Sequence, residues 1–252
     1  MSGHSKWSTI KRKKGAEDAK RGKIFTRITR EIVTAVREGG SPEIDSNPRL
    51  RMAIDKAKAA NMPKDNIQRA INKGAGIGDD GVVFEEITYE GYGPGGVAII
   101  VDALTDNRNR TLAEVKHAFS KAGGSVAKDG AVLWQFNQKG YIELSSEGLD
   151  FDEVFMAAAE AGAEDVIAED GIIVIYTERA DLHTVANALS EASYEVADSK
   201  LTWVPQNEID LETQQALQVI RLIERLEELD DVQGVSSNLN LSEETIAALQ
   251  EA

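Results

Sequence analysis

The sequence predicts an α+β protein: an N-terminal three-helix bundle followed by two α+β domains, the last ferredoxin-like and inserted in the middle one. Three observations predict it. Apolar residues recur at helical spacing up to residue 73 and at strand spacing beyond residue 84. The stretch GAGIGDDG, 74 to 81, separates the two regimes as a linker. From 141 onward the pattern alternates as β-α-β-β-α-β, and an amphipathic tail remains after that module is complete.

Taken in order, residues 1 to 15 (MSGHSKWSTIKRKKG) lack hydrophobic periodicity and read as an extended arm that orders on a partner. A helix follows over 16 to 38, with Phe25, Ile28, Ile32 and Val36 in one stripe and Gly39-Gly40 ending it. The second helix takes Asn47 as cap and Pro48 at its first position, buries Leu50, Ile54 and Ala57, and stops before Pro63. A third runs from 63 to 73 with Ile67 and Ile71 inward and ends at Gly74. Three short helices imply a small bundle.

Beyond the linker, strands are predicted at 84 to 89 and 97 to 104, joined by GYGPGG, then a helix on Leu112, Val115, Phe119 and Ala122, and short strands at 131 to 136 and 141 to 144. The ferredoxin-like module continues with a helix at 151 to 161, strands at 164 to 168 and 172 to 176 around an Asp170-Gly171 turn, a helix at 181 to 191 and a strand at 195 to 204. The tail, a helix at 211 to 229 carrying Leu217, Ile220 and Leu226 and then a segment at 232 to 239, is expected to return to the domain begun at Val82. The domains are therefore drawn as 1–78, 79–136 with 205–252, and 137–204.

Composition bounds the chemistry. The chain has 252 residues, 42% hydrophobic and 28% charged, the balance of an ordinary globular protein. It has no cysteine, which excludes disulfides, thiolate nucleophiles and thiolate metal sites. No apolar run approaches the roughly 20 residues that span a bilayer, and a cytoplasmic protein without membrane association is expected.

The net charge of −15 conceals a division. Residues 1 to 75 hold 18 Lys and Arg against 8 Asp and Glu, whereas the remainder holds 10 against 35. A segment of +10 attached to a body of −25 suits a polyanion-binding module, and nucleic acid is the expected partner. In the arm, Lys6, Lys11, Arg12, Lys13 and Lys14 are placed to neutralise phosphates. Trp7 either stacks on an exposed base or folds back on the first helix. Lys20, Lys23, Arg27, Arg30 and Arg37 recur at the helix period, on the side expected to face away from the apolar stripe.

Catalytic groups are scarce. His4, His117 and His183 lie far apart, none with a second histidine at metal-ligand spacing, so no catalytic residue, metal, cofactor or small-molecule substrate is expected. Gly91, Gly93 and Gly96 satisfy a dinucleotide-type spacing, but the strand VAIIV follows where a helix is needed and Pro94 removes an amide. In TDNRNRT, 105 to 111, Asp106 reads as a helix cap that places Arg108 and Arg110 in the first turn, where the helix dipole disfavours cations. An anionic partner would resolve that conflict. Gly93, Pro94, Gly95 and Gly96 with Asn107, Arg108 and Arg110 are thus a candidate second site for an anion or partner; its two halves stand about 26 Å apart along an eight-residue strand.

GHSKW at Gly3 to Trp7, the run KRKKGAEDAKRGKIFTRITREI, EGYGPGGVA at Glu90 to Ala98 and TDNRNRT together resemble the YebC family over essentially the whole chain. The resemblance implies three domains, a helical bundle and two α+β domains with the third inserted in the second. It also implies function, since members are described as DNA-binding transcriptional regulators. Related members are translational activators, including those of mitochondrial cytochrome oxidase synthesis and ribosome-associated factors that relieve stalls on proline runs. The chain begins at the family motif without an Arg-rich leader, which resembles the bacterial cytoplasmic form. Neither a helix-turn-helix with base-reading residues nor an RNA-binding aromatic signature is evident. Three readings stand side by side: a DNA-binding transcriptional regulator, a translation factor on ribosomal RNA, and a protein-interaction scaffold.

Overall fold

The computed structural model describes residues 17–77, 83–169 and 171–250. Among them are eight α-helices and two four-stranded antiparallel sheets. Three helices come first: α1 (Glu17–Gly39), α2 (Pro48–Ala59) and α3 (Lys64–Gly74). Their apolar stripes meet as predicted, with Ile28, Ile32, Val36, Leu50, Ile54, Ala57, Ile67 and Ile71 buried and Phe25 packed at the edge. Asn47 fixes the corner between α1 and α2. Its Oδ1 accepts from Leu50 N at 3.0 Å, satisfying an amide that the first turn leaves free, while its Nδ2 donates to the carbonyls of Ala35 and Ser41.

The first sheet, in order β3-β1-β2-β8, is built from β1 (Glu85–Tyr92), β2 (Ala98–Thr105), the two-residue β3 (Ser125–Val126) and β8 (Val232–Ser237). The C-terminal segment does return: β8 pairs antiparallel with β2, and α7 (Thr213–Glu227) and α8 (Glu243–Gln250) cover the sheet together with α4 (Arg108–Lys121). Alternation along β2 serves two cores. Val97, Ile99, Val101 and Ala103 pack under the helices, whereas Ala98 and Ile100 meet Val132 and Phe136 on the opposite face.

Between β3 and α7 the chain builds the second sheet from β4 (Phe136–Ser145), β5 (Asp165–Glu169), β6 (Ile172–Glu178) and β7 (Val196–Pro205), in order β5-β6-β4-β7. With α5 (Phe151–Ala161) and α6 (Leu182–Glu191) on one face, this is the ferredoxin-like arrangement, inserted in the chain path of the first sheet. Asp150 caps α5 by accepting from the amides of Asp152 and Glu153.

Three local expectations give way to the structure. The first strand continues past residue 89 to Tyr92, because Gly91 pairs with Ile99; a Cβ there would lie 2.5 Å from the Phe119 ring, so only glycine lets the strand pass. The strand expected at 131 to 136 is a turn ending in a 3-10 helix, Leu133–Gln135. The buried Glu90 carboxylate takes the amides of Gly130, Val132 and Leu133 at 2.5, 2.7 and 2.8 Å, leaving no ladder donors there. The strand expected at 141 to 144 instead starts at Phe136 and runs unbroken to Ser145.

Candidate nucleic-acid interface

The arm residues Lys6, Trp7, Lys11, Arg12, Lys13 and Lys14 lie outside the described residues, and Lys20 lies in the first turns of α1. The rest of the basic stripe has a definite partner within the chain. Lys23 Nζ donates to the carbonyl of Glu228 at 3.1 Å, Arg27 to the carbonyls of Glu227 and Leu229, and Arg30 to the carbonyl of Asp230. These acceptors sit at and just beyond the C-terminus of α7, where the last carbonyls lack intrahelical donors and the helix dipole is negative. Arg27 and Arg30 are therefore partly covered rather than turned fully to solvent, whereas Lys23 stays exposed; all three tether α1 to the end of α7. Burial lowers the pKa of Arg27, offset in part by Glu227, Asp230 and Glu31, and its Nε finds no acceptor among the described residues. Arg37 lies in the last turn of α1, where a cation complements the dipole.

The docking converges on Asp231. Its carboxylate, 2% exposed, accepts from Arg30 at 3.0 Å, Arg110 at 2.8 Å, Thr111 Oγ1 at 2.6 Å and Thr105 Oγ1 at 3.0 Å. Burial alone would raise its pKa; the bonds from Thr111, Arg110 and Thr105 and the charge of Arg30 overcome this and hold it below the usual carboxylate range. Three separate stretches of chain, α1, the start of α4 and the end of α7, are thus tied at one carboxylate.

This also resolves the arginine conflict read from TDNRNRT. The cap is Asn107, not Asp106: Asn107 Oδ1 accepts from Arg110 N at 3.1 Å. Asp106 instead pairs with the Arg110 side chain at 2.8 Å, so Arg110 has two carboxylates against it and its pKa is raised by the bonds it donates to Asp231 and Asp106. Arg108 stays mostly exposed, 3.8 Å from Glu85. At the other end of β2, Gly93 N donates to Val97 O and Gly96 N to Gly93 O, so the loop spends two amides on itself. Gly95, at φ 68°, packs where a Cβ would strike Leu211. The loop and the arginines occupy opposite ends of β2 and are not brought together.

Other cations of the three helices remain on the surface. Lys64 and Arg69 on α3 are exposed, and Arg51 on α2 lies 3.7 Å from Asp45. Lys56 is engaged differently, bonding Glu31 at 3.2 Å near Asp198 of β7. Among the described residues no cluster of His, Cys, Asp or Glu could hold a metal ion, and no helix is long and apolar enough to cross a membrane. Sequence reading missed Asp231 and Glu90. Glu90, which adjoins the glycine motif, carried a signal; Asp231, one acid among many in a charged tail, carried none.

A three-helix unit followed by two α+β units, one set within the other, defines a class of architecture rather than an activity. Comparison with known proteins assigns the family. Residues 5–77 match the model described as the TACO1/YebC protein N-terminal domain, and 84–239 match the TACO1/YebC second and third domain. The chain belongs to the TACO1/YebC family. A protein of Trichlorobacter lovleyi named "Probable transcriptional regulatory protein" is 54% identical over 242 residues, covering 96% of this chain and 97% of its own. One of the same name from Acidithiobacillus ferrooxidans is 52% identical over 250 residues, covering 99% of both chains. The crystal structure of a conserved hypothetical protein from Aquifex aeolicus, 46% identical, superposes with a TM-score of 0.85 over 90% of this chain and 93% of that one.

Proposed function

We propose that this protein is a non-enzymatic, nucleic-acid-binding regulator of gene expression in the cytoplasm, acting on DNA as a transcriptional regulator. The observation that carries the reading is the charge division, 18 basic against 8 acidic residues up to position 75 and 10 against 35 beyond it. The name shared by its relatives supports transcription as the process. With Arg27 and Arg30 turned toward the end of α7, phosphate contact falls to the basic residues of the arm, to Lys20, Lys23 and Arg37 of α1, and to Arg51, Lys64 and Arg69.

The second reading, a translation factor on ribosomal RNA, is favoured by that same docking. A groove-reading protein presents one helix along its exposed side, and here the basic side of α1 is partly covered. Crosslinking in cells followed by sequencing of the bound nucleic acid tests both. Promoter-proximal DNA supports the first, ribosomal RNA the second, and partners that survive nuclease treatment unchanged would replace both with a protein scaffold.

A further inference from the structure

Trp134 is the most exposed large apolar side chain among the described residues, at 70%, in a structure whose other exposed aromatics lie between 36 and 44%. It is not loose. Its Nε1–H donates to the carbonyl of Ala131 at 3.0 Å, and its own carbonyl accepts from Gln206 Nε2 at 3.1 Å. The turn beneath it is fastened from inside by the three amide bonds to Glu90. A second ring is anchored at the same point: the Tyr92 hydroxyl donates to the Ala131 carbonyl at 3.1 Å, using the other lone pair of that oxygen. Two aromatic side chains are thus tied to one backbone atom, and Tyr92 leads directly into the Gly93–Gly96 loop.

What such a surface binds follows from what it has left to offer. The polar atom of the indole is satisfied internally, so only the π-face is available. The turn's amides are consumed by Glu90, so no nest of N–H groups remains there to hold a phosphate. The turn carries one exposed cation, Lys128, beside one exposed anion, Asp129, and therefore has no net charge to attract a backbone. Two amide side chains flank the turn: Gln206 donates to the Trp134 carbonyl and to Asn137 Oδ1, the latter at 3.3 Å. A rigid aromatic face beside two amide side chains suits an unpaired nucleobase, which has a π-face and hydrogen-bonding edges.

We infer that Trp134, with Tyr92 beside it, is a stacking platform for an unpaired base, a second contact on nucleic acid distinct from the cationic segment. The inference rests on the nucleic-acid reading above and narrows it to a partner containing single-stranded nucleotides. The arm and helices supply the charge-dependent attraction and the platform supplies a contact that salt does not screen.

The test uses the full chain with two labelled probes, a 12-nucleotide single strand and the same sequence as a duplex, each made as DNA and as RNA, binding followed by fluorescence anisotropy over a salt series. Trp134→Ala is expected to weaken the single strand about tenfold, to leave the duplex unchanged, and to keep the parent's slope of log affinity against log salt. Trp134→Phe, which retains a ring, should stay close to the parent, and Trp134→Leu, which retains apolar bulk alone, should behave like the alanine variant. Parent-like binding of the single strand by Trp134→Ala or Trp134→Leu overturns the platform. So does an equal loss on both probes, or a shallower salt slope. If the parent binds neither probe, the nucleic-acid reading falls and the platform with it; if the parent binds and the variants match it, only the platform falls.

Discussion

Arg110 and Asp231, 121 residues apart in sequence, meet at 2.8 Å, and the same carboxylate takes Arg30 from the first helix at 3.0 Å. The site that the sequence suggests as an open anion receptor at the start of α4 is already filled, by an acid of the chain itself. Asp231 therefore acts as a fastener between the basic helices and the acidic body. Replacing Asp231 with Ala should cost about 2–4 kcal/mol in urea denaturation, since it removes the one acceptor shared by two guanidinium groups and two hydroxyls. In an Arg30→Ala, Asp231→Ala double-mutant cycle a coupling of at least about 0.5 kcal/mol is expected; strict additivity would remove the fastener.

The three docked cations of α1 carry a related expectation. Changing Lys23, Arg27 and Arg30 together to Gln should destabilise the protein by about 1–3 kcal/mol, as cations leave the carbonyls that end α7. Thermal unfolding checks it. An unchanged melting temperature would return these residues to the role of a free basic stripe.

Asn47 bonds three backbone groups through one side chain. Asn47→Ala should cost about 1–2 kcal/mol, whereas Asn47→Asp, which keeps the cap acceptor and loses the two amide donors, should fall between it and the parent. Equal losses for both variants would show that the cap bond contributes nothing.

Asp198 joins β7 to the helical unit electrostatically. Burial would raise its pKa, but the charges of Lys200, at 2.8 Å, and Lys56 lower it from 3.8 to about 2. Because the folded carboxyl gives up its proton more readily than the unfolded one, its contribution is complete above pH 4. It is lost as the pH falls from about 4 to about 2. The shift corresponds to about 2 kcal/mol at neutral pH. Stability measured against pH should therefore drop less steeply over that window in Asp198→Asn than in the parent, from a lower plateau.

Arg108 and Arg110 should separate. Arg110→Ala breaks the bonds to Asp106 and Asp231 and should cost about 1–3 kcal/mol, while Arg108→Ala, at an exposed site, should change stability by less than about 0.5 kcal/mol. Denaturant midpoints for the two single variants decide the comparison.

The sequence by itself determined what depends on neighbours within a turn or a strand. The stripes Phe25–Ile28–Ile32–Val36 and Leu50–Ile54–Ala57, the Asn47-Pro48 start of α2 and the β-α-β-β-α-β alternation all appear where the spacing puts them, because burial of one face sets those periods. The division of charge is likewise a property of the chain alone. Only the tertiary structure decided what the charges and polar groups touch. Arg27 reads on a wheel as solvent-facing, yet its acceptors lie 200 and 202 residues on in the chain; Glu90 reads as one acid beside a glycine motif, yet it organises a turn 40 residues away. A helical period reports which face avoids water. It cannot say which polar face will be covered by another element, because an ion pair or a carbonyl cap contributes through distance and alignment, and those exist only once the chain has folded.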